Sequence, residues 1–209
     1  MKSHNKILIW LSAILGIVGC NLPSPPPDML YKFDVIKVGK GPSYLLTHDI
    51  NLDGEPDLVS VNAKGNTLSL LYGKGDGTFH NPQHIRVASE PTMVTTGDIN
   101  RDGIPDLLTN ARGEEMVFVL LGNGDGSFRR FVPIKTGKVP LNVILADFNN
   151  DKKLDAAVTL TFDKMEIYIG SGDGYFKKGG TYLTGSRSFS GVAEDFNGCL
   201  LYTSPSPRD

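Results

Sequence analysis

Oxygen-bearing side chains recur at fixed spacing along this chain. Asp49-Ile-Asn-Leu-Asp-Gly-Glu-Pro-Asp57 is followed by Asp98-Ile-Asn-Arg-Asp-Gly-Ile-Pro-Asp106 and by Asp147-Phe-Asn-Asn-Asp-Lys-Lys-Leu-Asp155. A further copy opens at Asp195-Phe-Asn197-Gly198 and goes no further. Positions 1, 3, 5 and 9 each carry a carboxylate or an amide: Asp49, Asn51, Asp53 and Asp57, then Asp98, Asn100, Asp102 and Asp106, then Asp147, Asn149, Asp151 and Asp155. Alternate positions on a curled loop converge, and carboxylates crowded there repel one another unless a cation lies between them. Roughly six to eight hard oxygen ligands in a flexible loop are what Ca²⁺ takes. The expectation is up to three structural Ca²⁺ sites. Each would be completed by the backbone carbonyl of position 7 (Glu55, Ile104, Lys153), where side-chain identity is not held. Gly54 and Gly103 at position 6 permit a sharp turn with positive φ. The third loop has Lys152 there, so its turn should be strained and its site the weakest.

Other chemistries fit less well. An EF-hand shares the opening of the motif but needs Glu at position 12 and flanking helices. Position 12 here is Ser60, Thr109 or Val158. Isolated Asp-Gly runs read as polar turns, but three copies in one register argue for more than that. His80 and His84 are separated by Asn81-Pro82, with no helix to align them and too few partners for Zn²⁺. His48 precedes the first loop, yet Gly97 and Ala146 fill its place in the others. No His recurs where a nucleophile–base pair would need one. The sequence therefore shows no catalytic constellation, and the expectation is a non-enzyme.

The elements that must carry the loops are strands. The loops start 49 residues apart, at Asp49, Asp98 and Asp147, and a period in that range marks a propeller, solenoid or array. Phe33–Val38 alternates and reads as a lone strand. The first repeat predicts strands at Ser43–His48, Leu58–Asn62, Thr67–Tyr72 and Gln83–Val87. The second predicts Met93–Gly97, Leu107–Asn110, Glu115–Leu121 and Phe131–Lys135. The third predicts Asn142–Ala146, Ala156–Thr161, Met165–Ile169 and Lys177–Leu183, and Ser188–Ala193 opens a fourth. Four strands per repeat make a propeller blade. The fold class expected is all-β: three four-stranded blades plus the start of a fourth, in an open arc.

A second motif also repeats: Gly73-Lys-Gly-Asp-Gly-Thr-Phe79, Gly122-Asn-Gly-Asp-Gly-Ser-Phe128 and Gly170-Ser-Gly-Asp-Gly-Tyr-Phe176. No helix follows to make a phosphate cradle. It reads as a tight hairpin connection, with Phe79, Phe128 and Phe176 wedged between blades.

The ends carry an address. Lys2 and Lys6 precede an apolar run from Ile7 to Val18, too short to span a bilayer and suited to an export signal. Ile17-Val18-Gly19-Cys20 resembles a bacterial lipobox, which implies a lipoprotein signal peptide over 1–19 and a lipid on Cys20. The alternative is an ordinary secretory signal, giving a secreted or periplasmic protein. Residues 20–30, rich in proline, read as a tether. Residues 31–198 form the partial propeller. The tail 199–209 resembles a translated sequencing adapter and is expected to be artefactual, the natural sequence continuing differently after 198. The other cysteine is Cys199, so no disulfide is expected. Net charge is −2, with nine aspartates in the three loops, which gives no basic footprint for nucleic acid.

Together, the Asp/Asn loop, the strand after it and Gly-x-Gly-Asp-Gly-x-Phe resemble the FG-GAP/VCBS-type repeat of integrin-α-like propellers. Kelch, the rival by period, lacks the Asp loop and expects repeated Gly-Gly doublets, of which this chain has one, Gly179-Gly180. The resemblance implies Ca²⁺ at the twelve loop residues named above. With the lipobox and the absence of a catalytic constellation, it points to a cell-surface binding module, lipid-anchored through Cys20, for an extracellular protein or glycan. Two alternatives are the propeller part of a larger surface hydrolase or lyase, and a structural envelope protein.

Overall fold

The computed structural model describes residues 35–130 and 133–184. The chain divides into two compact units, 1–37 and 38–209, and every strand below belongs to the second. The first sheet comprises β1 (Pro42–His48), β2 (Asp57–Asn62), β3 (Thr67–Leu71) and β4 (Gln83–Arg86). The second comprises β5 (Val94–Gly97), β6 (Asp106–Ala111), β7 (Met116–Gly122) and β8 (Phe128–Arg130), with β9 (Ile134–Lys135) also paired to β7. The third comprises β10 (Pro140–Ala146), β11 (Asp155–Leu160), β12 (Lys164–Gly170) and β13 (Phe176–Leu183). Each sheet is an antiparallel meander in chain order. The fold is an all-β propeller fragment of three blades. The expected fourth strand set at Ser188–Ala193 lies outside the described residues.

The strands form where the sequence supplies short apolar, β-branched runs. β6 and β11 are buried along their whole length and β2 along nearly all of it, as a continuous run bounded by turn residues should be. The outer strands β4 and β13 stay mostly exposed. Each loop nonapeptide joins the first two strands of a blade, and its ninth residue is the first residue of the second strand.

The core lies between blades. Val59, Val61, Leu68, Leu70 and Tyr72 of the first blade pack with Val94, Leu107 and Leu120 of the second. Leu108, Val117, Val119 and Leu121 of the second pack with Val143, Ala156, Val158, Leu160 and Tyr168 of the third. Each fully buried aliphatic side chain of this kind contributes about 1.5–3 kcal/mol. Phe128 and Phe176 pack against these two clusters, as expected of inter-blade wedges. Phe79 joins neither, because no blade precedes the first among the described residues.

Two sequence expectations are corrected. Residues 35–38, the described part of Phe33–Val38, form no strand, and Val35 is 82 % exposed. The fourth strand of the second blade, expected at Phe131–Lys135, instead comes in two pieces, β8 and β9. β8 begins at once from the hairpin, with Phe128 opposite Gly122. Pro133 precedes β9, and proline has no N–H to give to a ladder.

Polar bridges tie the blades as well. Asn110, 1 % exposed, accepts the N–H groups of Thr92 (3.0 Å) and Met93 (2.9 Å). Its amide donates to Thr92 Oγ1 (2.7 Å) and across the junction to Pro140 O (2.8 Å). Replacing Asn110 by Ala strands two half-buried N–H groups and a buried carbonyl. The expected cost is about 2–3 kcal/mol, read as a lower midpoint in urea unfolding with an unchanged slope.

Candidate metal centre

The three nonapeptides adopt one hydrogen-bonded form. In the first, the Asp53 N–H is shared by Asp49 Oδ1 and Asn51 Oδ1, each at 3.2 Å. Asp49 Oδ2 accepts Gly54 N–H at 2.8 Å, Asp53 Oδ1 accepts Glu55 N–H at 2.8 Å, and Asn51 Nδ2 donates to Asp53 Oδ2 at 2.8 Å. The second loop repeats this with Asp98, Asn100 and Asp102. In the third, Asp147 and Asn149 converge on Asp151 N–H at 3.1 and 2.9 Å. Positions 1, 3 and 5 are thus brought together in every blade.

Position 9 is placed differently. Asp57, Asp106 and Asp155 are all 0 % exposed, beneath the loop. Asp57 Oδ2 accepts Ile50 N–H (2.9 Å) and its Oδ1 accepts Gly73 N–H (2.8 Å). Asp106 does the same with Ile99 (2.9 Å) and Gly122 (2.8 Å), and Asp155 with Phe148 (3.0 Å) and Gly170 (2.8 Å). One buried carboxylate therefore ties the Asp/Asn loop to the first glycine of the second motif. That glycine is required by contact: a Cβ on Gly73 would lie 2.4 Å from Pro56 O, and one on Gly122 2.4 Å from Pro105 O.

Residues 49–109, from the first loop into β6, match the family model for the FG-GAP-like repeat. Over those residues the chain carries an FG-GAP-like repeat. Among solved structures it superposes on a protein from Lactobacillus plantarum with a TM-score of 0.50 and 14 % identity, over 71 % of this chain and 43 % of that one. At that identity the likeness speaks for the fold alone, and this chain spans less than half of that protein. Weaker likenesses are to the Photorhabdus luminescens Tc holotoxin pore (TM-score 0.43, 18 % identity, 66 % of this chain and 7 % of that one) and to BBS1N in complex with ARL6DN (TM-score 0.43, 14 % identity, 76 % and 59 %). No curated protein matches the chain.

The FG-GAP-like loops bring negative charge together. Burial pushes the Asp57 carboxyl up against the pull of its two N–H donors, and Asp53 and Asp49 push it further. Asp155 is raised by burial and by Asp151 and Asp147 in the same way. Asp106 is pushed up to about 6, chiefly by burial. On the surface, Asp53 is held below the ordinary carboxylate range by Glu55 N–H and the Asn51 amide. The donors at positions 1, 3, 5 and 9 are all oxygen, which suits a hard cation. Among the described residues, no three His, Cys, Asp or Glu side chains close on one point by themselves, so a cation would also need the Asn oxygen and the position 7 carbonyl.

The backbone explains other residues. Lys152 holds φ at 65° where Gly54 and Gly103 stand at 87° and 80°, and it still gives its N–H to Asp147 Oδ2 at 2.7 Å. Position 4 is left-handed too, at Leu52 (61°), Arg101 (64°) and Asn150 (62°), which the sequence reading missed. Left-handed backbone costs a side-chain-bearing residue roughly 1–2 kcal/mol. Lys153 Nζ lies 3.4 Å from Asp151 Oδ2, so the third loop carries part of its own neutralising charge. Position 2 was also missed: Ile50 and Ile99 are 1 % exposed and sit in the two inter-blade clusters.

One pair has the look of chemistry. Ser69 Oγ lies 2.9 Å from His84 Nδ1. The serine is 0 % exposed and already accepts Gly39 N–H (3.1 Å) and Asn62 Nδ2 (2.8 Å). Its oxygen is saturated and out of reach of a substrate, so the pair is a strut between β3 and β4.

Two outcomes follow. Asp106→Asn turns an amide N–H₂ toward one of two buried N–H donors and should cost about 1–3 kcal/mol. With its native value above the ordinary 3.8, Asp106 adds stability that is complete below that ordinary value and lost as pH rises through about 6. Thermal melts in chelator should show that slope in the parent and a shallower one in the variant, where Asp57 and Asp155 still act. Lys152→Gly should relieve the left-handed turn and stabilise by about 0.5–1 kcal/mol, raising Tm by about 1–3 °C.

Proposed function

We propose that this FG-GAP-like propeller is a non-catalytic binding module, carried on a bacterial cell surface by a lipid on Cys20, with Ca²⁺ stiffening its blades. The observation that carries the metal is the threefold recurrence of one oxygen set in one hydrogen-bonded form. The residues that would hold Ca²⁺ are Asp49, Asn51, Asp53 and Asp57, then Asp98, Asn100, Asp102 and Asp106, then Asp147, Asn149, Asp151 and Asp155. Bound there, the ion supplies the positive charge that mutually repelling carboxylates lack. The protein residues do the rest: the position 9 carboxylate fixes the loop to the next hairpin, and the position 6 N–H fixes its curl. Extracellular calcium modules work at affinities of about 10⁻⁴–10⁻³ M, so weak sites suffice outside the cell. The ligand class is an extracellular protein or glycan, reached by the loops that the blades display.

Chelation should lower the melting temperature of the full chain, and restored Ca²⁺ should raise it. A site held at a hundredfold excess over its Kd contributes about 2.7 kcal/mol. Asp53→Ala should remove one ion from the bound stoichiometry while leaving the others. A melting curve that ignores chelator removes the metal from this reading.

A further inference from the structure

Successive blades meet on one plan but are closed differently. Between the first two, Tyr72, the residue before Gly73, is buried and donates its hydroxyl to Gly126 O at 2.8 Å. A Cβ on Gly126 would lie 2.6 Å from the Tyr72 ring, so that ring fills the space over the hairpin. Gly174 occupies the place of Gly126 in the third blade, and Leu121, before Gly122, occupies the place of Tyr72 in the second. Leu121 is buried in the inter-blade cluster, but it has neither ring nor hydroxyl to extend over Gly174. At Gly174 a cavity of about 300 Å³ opens, bounded by Lys135 and Ile134 on one blade and by Tyr168, Tyr175, Phe176 and Lys178 on the other.

We propose that this cavity binds an acidic sugar, a hexuronate unit, through its carboxylate and one apolar ring face. The charge count favours a single anion. Lys178 donates to Glu166 Oε1, and Glu166 is 4 % exposed. Lys135 has no carboxylate partner among the described residues, so the cavity holds one cation in excess. Ile134 and Phe176 give an apolar wall on which a sugar's C–H face rests. Glu166 pre-organises the rest: its Oε2 accepts Tyr168 O–H at 2.6 Å and Gly137 N–H at 2.9 Å. The Tyr168 oxygen keeps lone pairs for a sugar hydroxyl. The volume sits at the lower end of the ligand-site range of about 300–1,000 Å³, which suits one ring of a polysaccharide. Inorganic phosphate would leave the apolar wall uncovered, and an aromatic carboxylate would leave the tyrosine oxygen without a donor.

The inference rests on the binding-module reading and names its ligand. Galacturonate is titrated into the full chain by calorimetry, beside glucose, benzoate and inorganic phosphate. Saturable galacturonate binding, at least about tenfold tighter than any of the other three, is the expected result. Lys135→Ala should weaken it about tenfold with an unchanged melt, and Leu121→Tyr, which restores the closure seen at Tyr72, should abolish it. If Leu121→Tyr does not fold, the Lys135 variant decides. Absence of galacturonate binding overturns the site. Equal binding of glucose, benzoate or phosphate, or an unaltered Lys135→Ala titration, overturns the ligand class. Melts with and without chelator run in parallel: a calcium shift without galacturonate binding removes the cavity alone, and binding without a calcium shift removes the metal alone.

Discussion

A carboxylate with no access to water holds each blade of this protein in shape. Asp57, Asp106 and Asp155 each spend both oxygens on backbone N–H groups, one side from the loop before the strand and the other from the glycine at or just past the end of the next strand. Burying an ionised group is expensive unless it is fully hydrogen-bonded. The blade meets that condition by bringing two turns to the same point. Everything near it is shaped by the requirement: the glycine that admits a neighbouring carbonyl, the left-handed residues that curl the loop, and the apolar position 2 that plugs the gap between sheets.

The two kinds of acid in the loop therefore behave differently. Those at positions 1 and 5 organise N–H groups of their own turn, and all but the buried Asp147 lie at or near the surface. Those at position 9 are pushed up by desolvation and by the acids above them. A cation held by the loop would relieve the acids of both levels. Folding energy and metal affinity draw on the same charges here, so changes at either level should be felt at the other.

Much of this could be read from residue types. The period between Asp49, Asp98 and Asp147 located the blades, and strand positions such as Leu58–Asn62 fell within a residue of Asp57–Asn62. Positions 1, 3 and 5 were legible because alternate oxygens on a short loop have few other uses. The buried clamp was harder to see: Asp57 looks like its loop neighbours, and only its place at the head of an apolar strand hints at burial. Left-handed backbone at Leu52 and Arg101 leaves no compositional trace, since neither residue favours it. Ile50, Ile99 and Phe148 were a visible pattern passed over. The exchange of Tyr72 for Leu121 was also visible, but its meaning depends on which glycine the ring covers.

The clamps have a bearing on how such chains come to be. Asp57 and Gly73 are 16 residues apart, while the ties between blades reach 30 residues from Asn110 to Pro140 and 54 from Tyr72 to Gly126. Each blade thus closes on contacts drawn largely from its own stretch of chain and packs against its neighbours, which makes stability nearly additive along the array. A genetic duplication or deletion of one whole period would sever none of the internal ties. Blade number is accordingly free to drift, while the order of residues inside a blade is not.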